Sequence, residues 1–137
     1  MAQSQPKLPV EVQQQIDESR KDCEPDKAVF QPGFITHRDF NEDGVDLYIL
    51  NDEHLECGAN LSSFCGSGGC SIQVFASNGD GKYAKVLDDL VQRVGFPHVK
   101  GRLAMHVDFG GAECGRANVE PCAETLFWNG STFSPAN

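Results

Sequence analysis

The fold is decided by a segment that occurs in two related copies. Residues 70–83 read CSIQVFASNGDGKY, and residues 122–133 read CAETLFWNGSTF. Each copy has a cysteine, a strand-like run that includes Phe, the dipeptide Asn-Gly and a second aromatic residue. Asn-Gly between apolar runs is a strong signal of a β-hairpin, because both residues tolerate a positive φ. The sequence therefore predicts two related hairpins, with chance similarity as the alternative.

Other short strands are predicted along the chain by apolar residues that recur with a period of two. The clearest is 102–109, in which apolar side chains at odd positions alternate with Ala104, His106 and Asp108. Residues 87–94 fit either a strand or a turn or two of helix. The predicted strands are 28–30, 34–38, 45–50, 70–77, 82–87, 102–109, 123–128 and 131–134. The side chains predicted to form the core are Phe30, Phe34, Ile49, Val74, Leu103, Met105, Val107 and Phe127.

A helix is predicted over residues 8–22, because Leu8, Val12 and Ile16 recur every four positions. The chain is therefore predicted to be α+β, with this helix packed on a mostly antiparallel, propeller-blade-like sheet built from the two hairpin units. A small all-β sandwich or barrel with an accessory helix is the alternative. Residues 1–7 are expected to form a disordered tail and residues 8–137 a single domain, since 137 residues suit one domain.

Charge and hydropathy exclude two classes of protein. The net charge of −9 repels polyphosphate, so nucleic acid is not an expected partner. A membrane-spanning helix needs about 20 apolar residues, whereas the longest apolar runs here are about four or five. No transmembrane segment is predicted.

The chain has six cysteines, none of them in a C-x-x-C pair, so disulfides are predicted rather than a zinc or redox site. Each hairpin is preceded by its own Cys-Gly, which favours the pairs Cys65–Cys70 and Cys114–Cys122 and leaves Cys23 for Cys57. Six cysteines allow fifteen connectivities, and this one depends on the duplication. Disulfides indicate a periplasmic or secreted protein. No signal peptide is visible, so we expect that an export leader has been removed.

The strongest chemical motif is DFNEDGVD at residues 39–46. Asp39, Asn41 and Asp43 occupy positions 1, 3 and 5 of a calcium loop, glycine occupies position 6, and the backbone carbonyl of Val45 occupies position 7. Asp46 could supply a further oxygen if the turn is re-aimed. The expected cofactor is a weakly bound, structural Ca²⁺. An ordinary acidic turn is the alternative, since Asp, Asn and Gly also favour turns for local reasons.

These residues resemble the calcium loops of FG-GAP and dockerin-like repeats. Residues 23–137 also resemble small exported alphaproteobacterial proteins of unassigned function, which carry the acidic loop, CGSGGC at 65–70 and WNGSTF at 128–133. The resemblance implies a calcium loop and no particular activity. The chain departs from the usual loop at positions 9 and 12, where it has Leu47 and Leu50 instead of acidic ligands.

Four histidines, at positions 37, 54, 98 and 106, are dispersed, and His106 is interpreted as an exposed strand residue. The predicted function is a calcium-stabilised binding module whose partner is a protein or an envelope glycan. The alternatives are a cell-envelope hydrolase that uses two acids of residues 39–56, or an inhibitor of a cell-wall hydrolase. A hydrolase is less favoured because an enzyme needs convergent groups in a cleft, and the sequence shows no opposed partner for those acids. No catalytic residue is assigned.

Overall fold

The structure is a computed structural model that describes residues 7–58, 64–66, 69–109 and 122–135. It contains one α-helix in this part of the chain, α1 (Val10–Cys23), and two 3₁₀ turns at Asn41–Asp43 and Asp52–His54. The strands are β1 (Ala28–Phe30), β2 (Ile35–Phe40), β3 (Val45–Asn51), β4 (Leu55–Cys57), β5 (Cys65–Gly66), β6 (Gly69–Ser77), β7 (Ala84–Val91), β8 (Arg93–Gly95), β9 (His98–Val99), β10 (Arg102–Phe109), β11 (Cys122–Trp128) and β12 (Phe133–Ser134).

Helix α1 follows Pro9 and buries the face that carries Val12, Ile16, Ser19 and Cys23. These positions are three or four residues apart, which places them on one side of a helix. The predicted helix is confirmed, although it begins two residues later and ends one residue later than expected. The predicted tail lies outside the described residues except for Lys7, which is exposed.

The strands form two larger antiparallel sheets and one small one. In the first sheet the order is β2-β3-β6-β5, and β7 pairs with β6. In the second sheet the order is β12-β11-β10-β8, and β9 pairs with β10. The small sheet consists of β1 and β4. Residues 87–94, which fitted either structure, continue β7 and enter β8 as strand.

The first sheet lies in the middle of the molecule, between α1 and the second sheet. On one face, Val45, Leu47 and Ile49 of β3 pack in the cluster that contains Met105 of β10 and Phe133 of β12. On the other face, Tyr48 and Leu50 pack in the cluster that contains Val12 and Ile16 of α1. Successive side chains of β3 therefore point alternately into two hydrophobic cores, one on each side of the sheet.

The α+β class is confirmed, and both predicted hairpins form. β6 pairs with β7, and β11 pairs with β12, in antiparallel register. Gly79 and Gly130 have φ values of +98° and +101°, whereas Asn78 and Asn129 do not have a positive φ, so the connections are not two-residue type I′ turns. The two units lie in different sheets that face each other, so the strands are divided as in a sandwich.

Strand β7 begins two residues later than predicted because of the turn that precedes it. The side-chain oxygen of Asn78 accepts a hydrogen bond from the backbone N–H of Asp80, and Asp80 does the same for Lys82. Such local bonds compete with strand pairing and hold the backbone in turns. The connection between β6 and β7 is therefore longer than the Asn-Gly dipeptide alone suggested.

Six of the eight predicted core side chains are buried, and Phe30 and Phe127 are only half-buried. In β11 the side chains that pack between the sheets are Leu126 and Trp128. Phe127 lies on the opposite face, with the Arg102 guanidinium 4.9 Å from its ring centroid. The prediction for Phe127 is therefore wrong by one residue, which in a strand means the other face.

The structure confirms two of the predicted disulfides. Cys23–Cys57 joins the end of α1 to β4, and Cys65–Cys70 joins β5 to β6. Cys122 is also disulfide-bonded, and its predicted partner, Cys114, lies outside the described residues. In the part of the chain described, no helix is both long and apolar enough to cross a membrane.

Candidate functional site

The predicted calcium loop lies at the turn between β2 and β3. Strand pairing continues up to the turn, because Asp39 pairs with Asp46 and Phe40 pairs with Val45. The connection is therefore residues 41–44, in which Asn41–Asp43 form a 3₁₀ turn. Three of the five predicted ligands belong to strands. Val45 and Asp46 lie in β3, as the predicted strand 45–50 implied, whereas Asp39 lies in β2 because that strand continues two residues beyond its predicted end at residue 38.

Three of the predicted ligand side chains line one pocket of about 300 Å³. Asp39, Asn41 and Asp43 contribute to its wall together with Glu42, Phe40 and His98. The Asp43 carboxylate lies 2.8 Å from Nε2 of His98, which begins β9 beside β10 of the second sheet. Carboxylate and amide oxygens are suitable donors for Ca²⁺, so this side-chain set fits the predicted ion.

Asp46 is directed away from that pocket, toward the side of the sheet that carries α1. Its Oδ2 accepts a hydrogen bond of 2.5 Å from the Tyr83 hydroxyl, and its Oδ1 lies 2.7 Å from Nε2 of His37. The His37 ring in turn stacks on Tyr48, with ring centroids 4.4 Å apart. Asp46 therefore holds an aromatic cluster together, and the structure does not bring it to the other three side chains.

The tyrosines around Asp46 are held in their neutral form. Burial and the hydrogen bond donated to Asp46 raise the pKa of Tyr83 far above its ordinary value. Burial, followed by the charge of Asp46, also raises the pKa of Tyr48. Both hydroxyls therefore stay protonated at neutral pH, and Tyr83 acts as a hydrogen-bond donor rather than as a nucleophile.

Val45, the fifth predicted ligand, begins β3 and buries its side chain between the two sheets. Among the described residues, no three His, Cys, Asp or Glu side chains are grouped closely enough to hold a metal ion. Two of the predicted ligand atoms are of other kinds, since Asn41 offers an amide oxygen and Val45 a backbone carbonyl. Calcium binding at this turn therefore stays a prediction.

A second candidate site is a cleft between the two sheets, which we call the intersheet cleft. It consists of two adjoining pockets of about 350 and 550 Å³ that share Arg38, Arg93, Val94 and Phe96. Ile49 and Ile72 of the first sheet contribute apolar surface to the smaller pocket. His106 and Asp108 of β10 contribute polar groups to the larger one.

The two arginines of the intersheet cleft come from different sheets. Arg38 belongs to β2, which among the described strands pairs only with β3 and is exposed along most of its length. Its guanidinium lies 4.9 Å from the ring centroid of Phe40. Arg93 opens β8, is 80% exposed, and places its Nε 3.2 Å from Oδ2 of Asp108. A guanidinium presents a planar set of donors that matches a carboxylate or phosphate.

His106 also lines the intersheet cleft, and its side chain is about 41% exposed. Its Nδ1 lies 2.9 Å from the Thr125 hydroxyl, and its Nε2 lies 3.4 Å from Oδ1 of Asp108. The interpretation of His106 as an exposed strand residue missed this contact with the cleft. Sequence reasoning also missed Arg38 and Arg93, since each is a single arginine without a motif around it.

No protein-family model matches the chain, and no curated protein or solved structure matches it significantly. The resemblance to FG-GAP and dockerin-like loops, and to the exported alphaproteobacterial proteins, therefore stays a prediction.

Proposed function

We propose that this protein is a binding module of the periplasm or the extracellular space, and that its intersheet cleft holds an anionic group of a partner. The observation that carries the proposal is the convergence of Arg38 and Arg93 on one cleft in a chain of net charge −9. The apolar side chains beneath them suit a ligand that combines an acidic group with an apolar body. Two disulfides support an oxidising compartment.

The position of β2 favours a protein partner over an envelope glycan. An edge strand offers backbone N–H and C=O groups along its open side, and an extended peptide can pair with them. The side chains of Thr36 and Arg38 alternate toward the cleft, where they line the smaller pocket. A peptide beside β2 could therefore place an acidic side chain against the guanidinium groups.

A hydrolase is the second candidate, because Glu53 and Asp108 are two carboxylates that line the same cleft. Asp108 is already engaged by Arg93, whose Nε lies 3.2 Å from its Oδ2. In a hydrolase, Glu53 would therefore be the carboxylate left to act on the substrate. The variant Glu53→Gln separates the two functions, because it should abolish hydrolysis while leaving an anionic ligand bound.

Calcium binding at the β2–β3 turn is part of the same proposal, with a role in stability rather than catalysis. The support for it is that Asp39, Asn41 and Asp43 line one pocket. With three side-chain ligands and no acidic residue at positions 9 and 12, the dissociation constant should lie in the weak range of about 10⁻⁴–10⁻³ M.

The experiment is a titration of the protein with hexaglutamate and hexalysine peptides, followed by NMR chemical shifts. Hexaglutamate should shift the amide resonances of β2 and β8 despite the overall negative charge, and hexalysine should not. Arg38→Ala and Arg93→Ala should each weaken hexaglutamate binding about 10-fold or more, since hydrogen bonds between charged groups contribute about 1.5–3 kcal/mol.

Arg102→Ala is the matched control, because Arg102 makes the same 4.9 Å contact with an aromatic ring but lies outside the intersheet cleft. It should bind hexaglutamate like the wild type. Equal weakening by all three variants would indicate that net charge alone governs binding, and the proposal would be wrong. Absence of any hexaglutamate binding at low salt would also contradict it.

A further inference from the structure

A buried acid–amide pair lies between α1 and the first sheet, away from the intersheet cleft. Asp52 begins the 3₁₀ turn that follows β3, and Gln73 lies in β6. Each residue is only 3% exposed. The Nε2 of Gln73 donates to Oδ2 of Asp52 over 3.4 Å, so the two groups already share one hydrogen bond.

The other two oxygens of this pair lack a partner. Within the described part of the chain, Oδ1 of Asp52 and Oε1 of Gln73 are buried and make no hydrogen bond. Both atoms are acceptors while Asp52 is ionised, so they cannot bond to each other. A buried polar atom without a partner carries a substantial desolvation penalty, and a charged one carries a larger penalty.

One proton on Asp52 would give a hydrogen-bond partner to both of these oxygens. We propose that Asp52 is a neutral carboxylic acid in the folded protein at mildly acidic pH, and that its Oδ1–H donates to Oε1 of Gln73. Together with the existing bond from Gln73 Nε2 to Asp52 Oδ2, this closes a ring of two hydrogen bonds between an acid and an amide. The proton is the only addition that the pair needs.

The charged groups around Asp52 also favour its neutral form. Asp22 of α1 and Asp88 of β7 act on it as negative charges. Asp88 also lies 3.5 Å from Nε2 of Gln73 and 3.0 Å from Nζ of Lys85. Lys85 is shared between Asp88 and the side-chain oxygen of Gln15 in α1.

Burial is the main cause that raises the pKa of Asp52, from 3.8 to about 6. The hydrogen bond from Gln73 lowers the pKa, whereas the charges of Asp88 and Asp22 raise it further. The folded protein therefore keeps this proton over a pH range in which the unfolded chain has released it.

The proton makes the contact between the 3₁₀ turn at Asp52–His54 and β6 sensitive to pH. Between about pH 4 and pH 6 the folded state binds more protons at Asp52 than the unfolded state, so stability from this pair falls as pH rises. Below pH 4 the contribution is fully present, and above pH 6 it is lost. The pair thus strengthens the contact between the 3₁₀ turn and β6 in acid.

The first test is an NMR titration of the side-chain carboxyl carbon of Asp52 in the intact, oxidised protein, assigned with the Asp52→Asn variant. The expected midpoint is about 6. A midpoint of about 4 or lower, the range of an ordinary aspartate, would show an ionised carboxylate and would overturn the proposal.

The second test is chemical unfolding of Asp52→Asn from pH 4 to pH 8. The asparagine amide can donate to Oε1 of Gln73 without a proton from solution, so the variant should be more stable than the wild type at pH 8. The unfolding equilibrium constant should fall by up to about 100-fold there, because each unit of pKa difference is a factor of ten. At pH 4 the two proteins should be nearly equal.

Asp88→Asn is the matched control, since it removes a neighbouring carboxylate and keeps the acid–amide pair. It should keep most of the pH dependence of the wild type. If Asp52→Asn is less stable than the wild type at pH 8, or if their difference is the same at pH 4 and pH 8, the shared proton does not exist.

Discussion

The disulfide between Cys23 and Cys57 should contribute more to stability than the one between Cys65 and Cys70. The first bond closes a separation of 34 residues and fastens α1 to β4, whereas the second closes a separation of five within one edge of the first sheet. A cross-link stabilises a protein mainly by restricting the unfolded chain, and the restriction grows with the length of the closed loop. The perturbation is replacement of each pair by alanines.

The magnitudes follow from the two separations. In the chain-entropy model, a loop of 34 residues corresponds to about 4 kcal/mol at 25 °C. A loop of five residues corresponds to about 2 kcal/mol. Burial acts in the same direction, because Cys23 and Cys57 are each 4% exposed and belong to the core on the helix side. Their replacement also removes packed sulfur atoms.

The assay is urea unfolding of the wild type and the two double variants under oxidising conditions, with the mid-point and slope measured by fluorescence and circular dichroism. The variant without Cys23–Cys57 should lose about twice the free energy of unfolding lost by the variant without Cys65–Cys70. Equal losses, or a larger loss from the short bridge, would refute the loop argument. The slope should rise more in the variant without Cys23–Cys57, because opening the longer loop lets the unfolded chain expand, so the free energies in water rather than the mid-points are compared.

Three further predictions concern the core, the aromatic cluster and the turn. Met105→Ala should lower the free energy of unfolding by about 2–5 kcal/mol, because Met105 is fully buried. Phe127→Ala should lower it less, because Phe127 is only half-buried. If urea unfolding of both variants gave the opposite order, the assignment of these side chains to the inner and outer faces of their strands would be wrong. Tyr83→Phe should lower the free energy of unfolding by about 1.5–3 kcal/mol, because it removes the hydroxyl that donates a hydrogen bond to the Asp46 carboxylate. An unchanged urea midpoint would show that this hydrogen bond does not stabilise the protein. Calcium at about 100 times its dissociation constant, which is about 10–100 mM, should add about 2.7 kcal/mol and raise the melting temperature. Asp43→Ala should abolish this response, and a wild-type melt that calcium at these concentrations leaves unchanged would make the turn an ordinary acidic one.

Local patterns in the sequence were sufficient to predict the helix, the clearest strand and both hairpins. The four-residue spacing of Leu8, Val12 and Ile16 predicted α1, and the alternation at residues 102–109 predicted β10 with its bounds as observed. The Asn-Gly turns predicted both hairpins, because a positive φ at glycine is a requirement of the turn itself. The duplication also predicted the short disulfide within its own hairpin unit, where the partners are neighbours in the sequence.

The sequence could not resolve the face of β11, because residues 126–128 are Leu, Phe and Trp in succession. A period of two predicts which positions share a face only when polar residues interrupt the apolar ones. Pairing with β10 decided the question, since it placed Leu126 opposite the buried Met105. Phe127 was thereby directed to the other face, under Arg102.

The two candidate sites that matter most here depend on tertiary structure alone. Arg38 and Arg93 line one cleft because two separate sheets pack face to face, and Asp52 contacts Gln73 because a turn after β3 folds onto β6. Neither pair has a spacing that a helix, strand or turn would impose. Local backbone preferences act over a few residues, so the sequence could predict the helix and the strands. Only the packing of the helix and the sheets decided which distant polar side chains share a cleft or a buried proton.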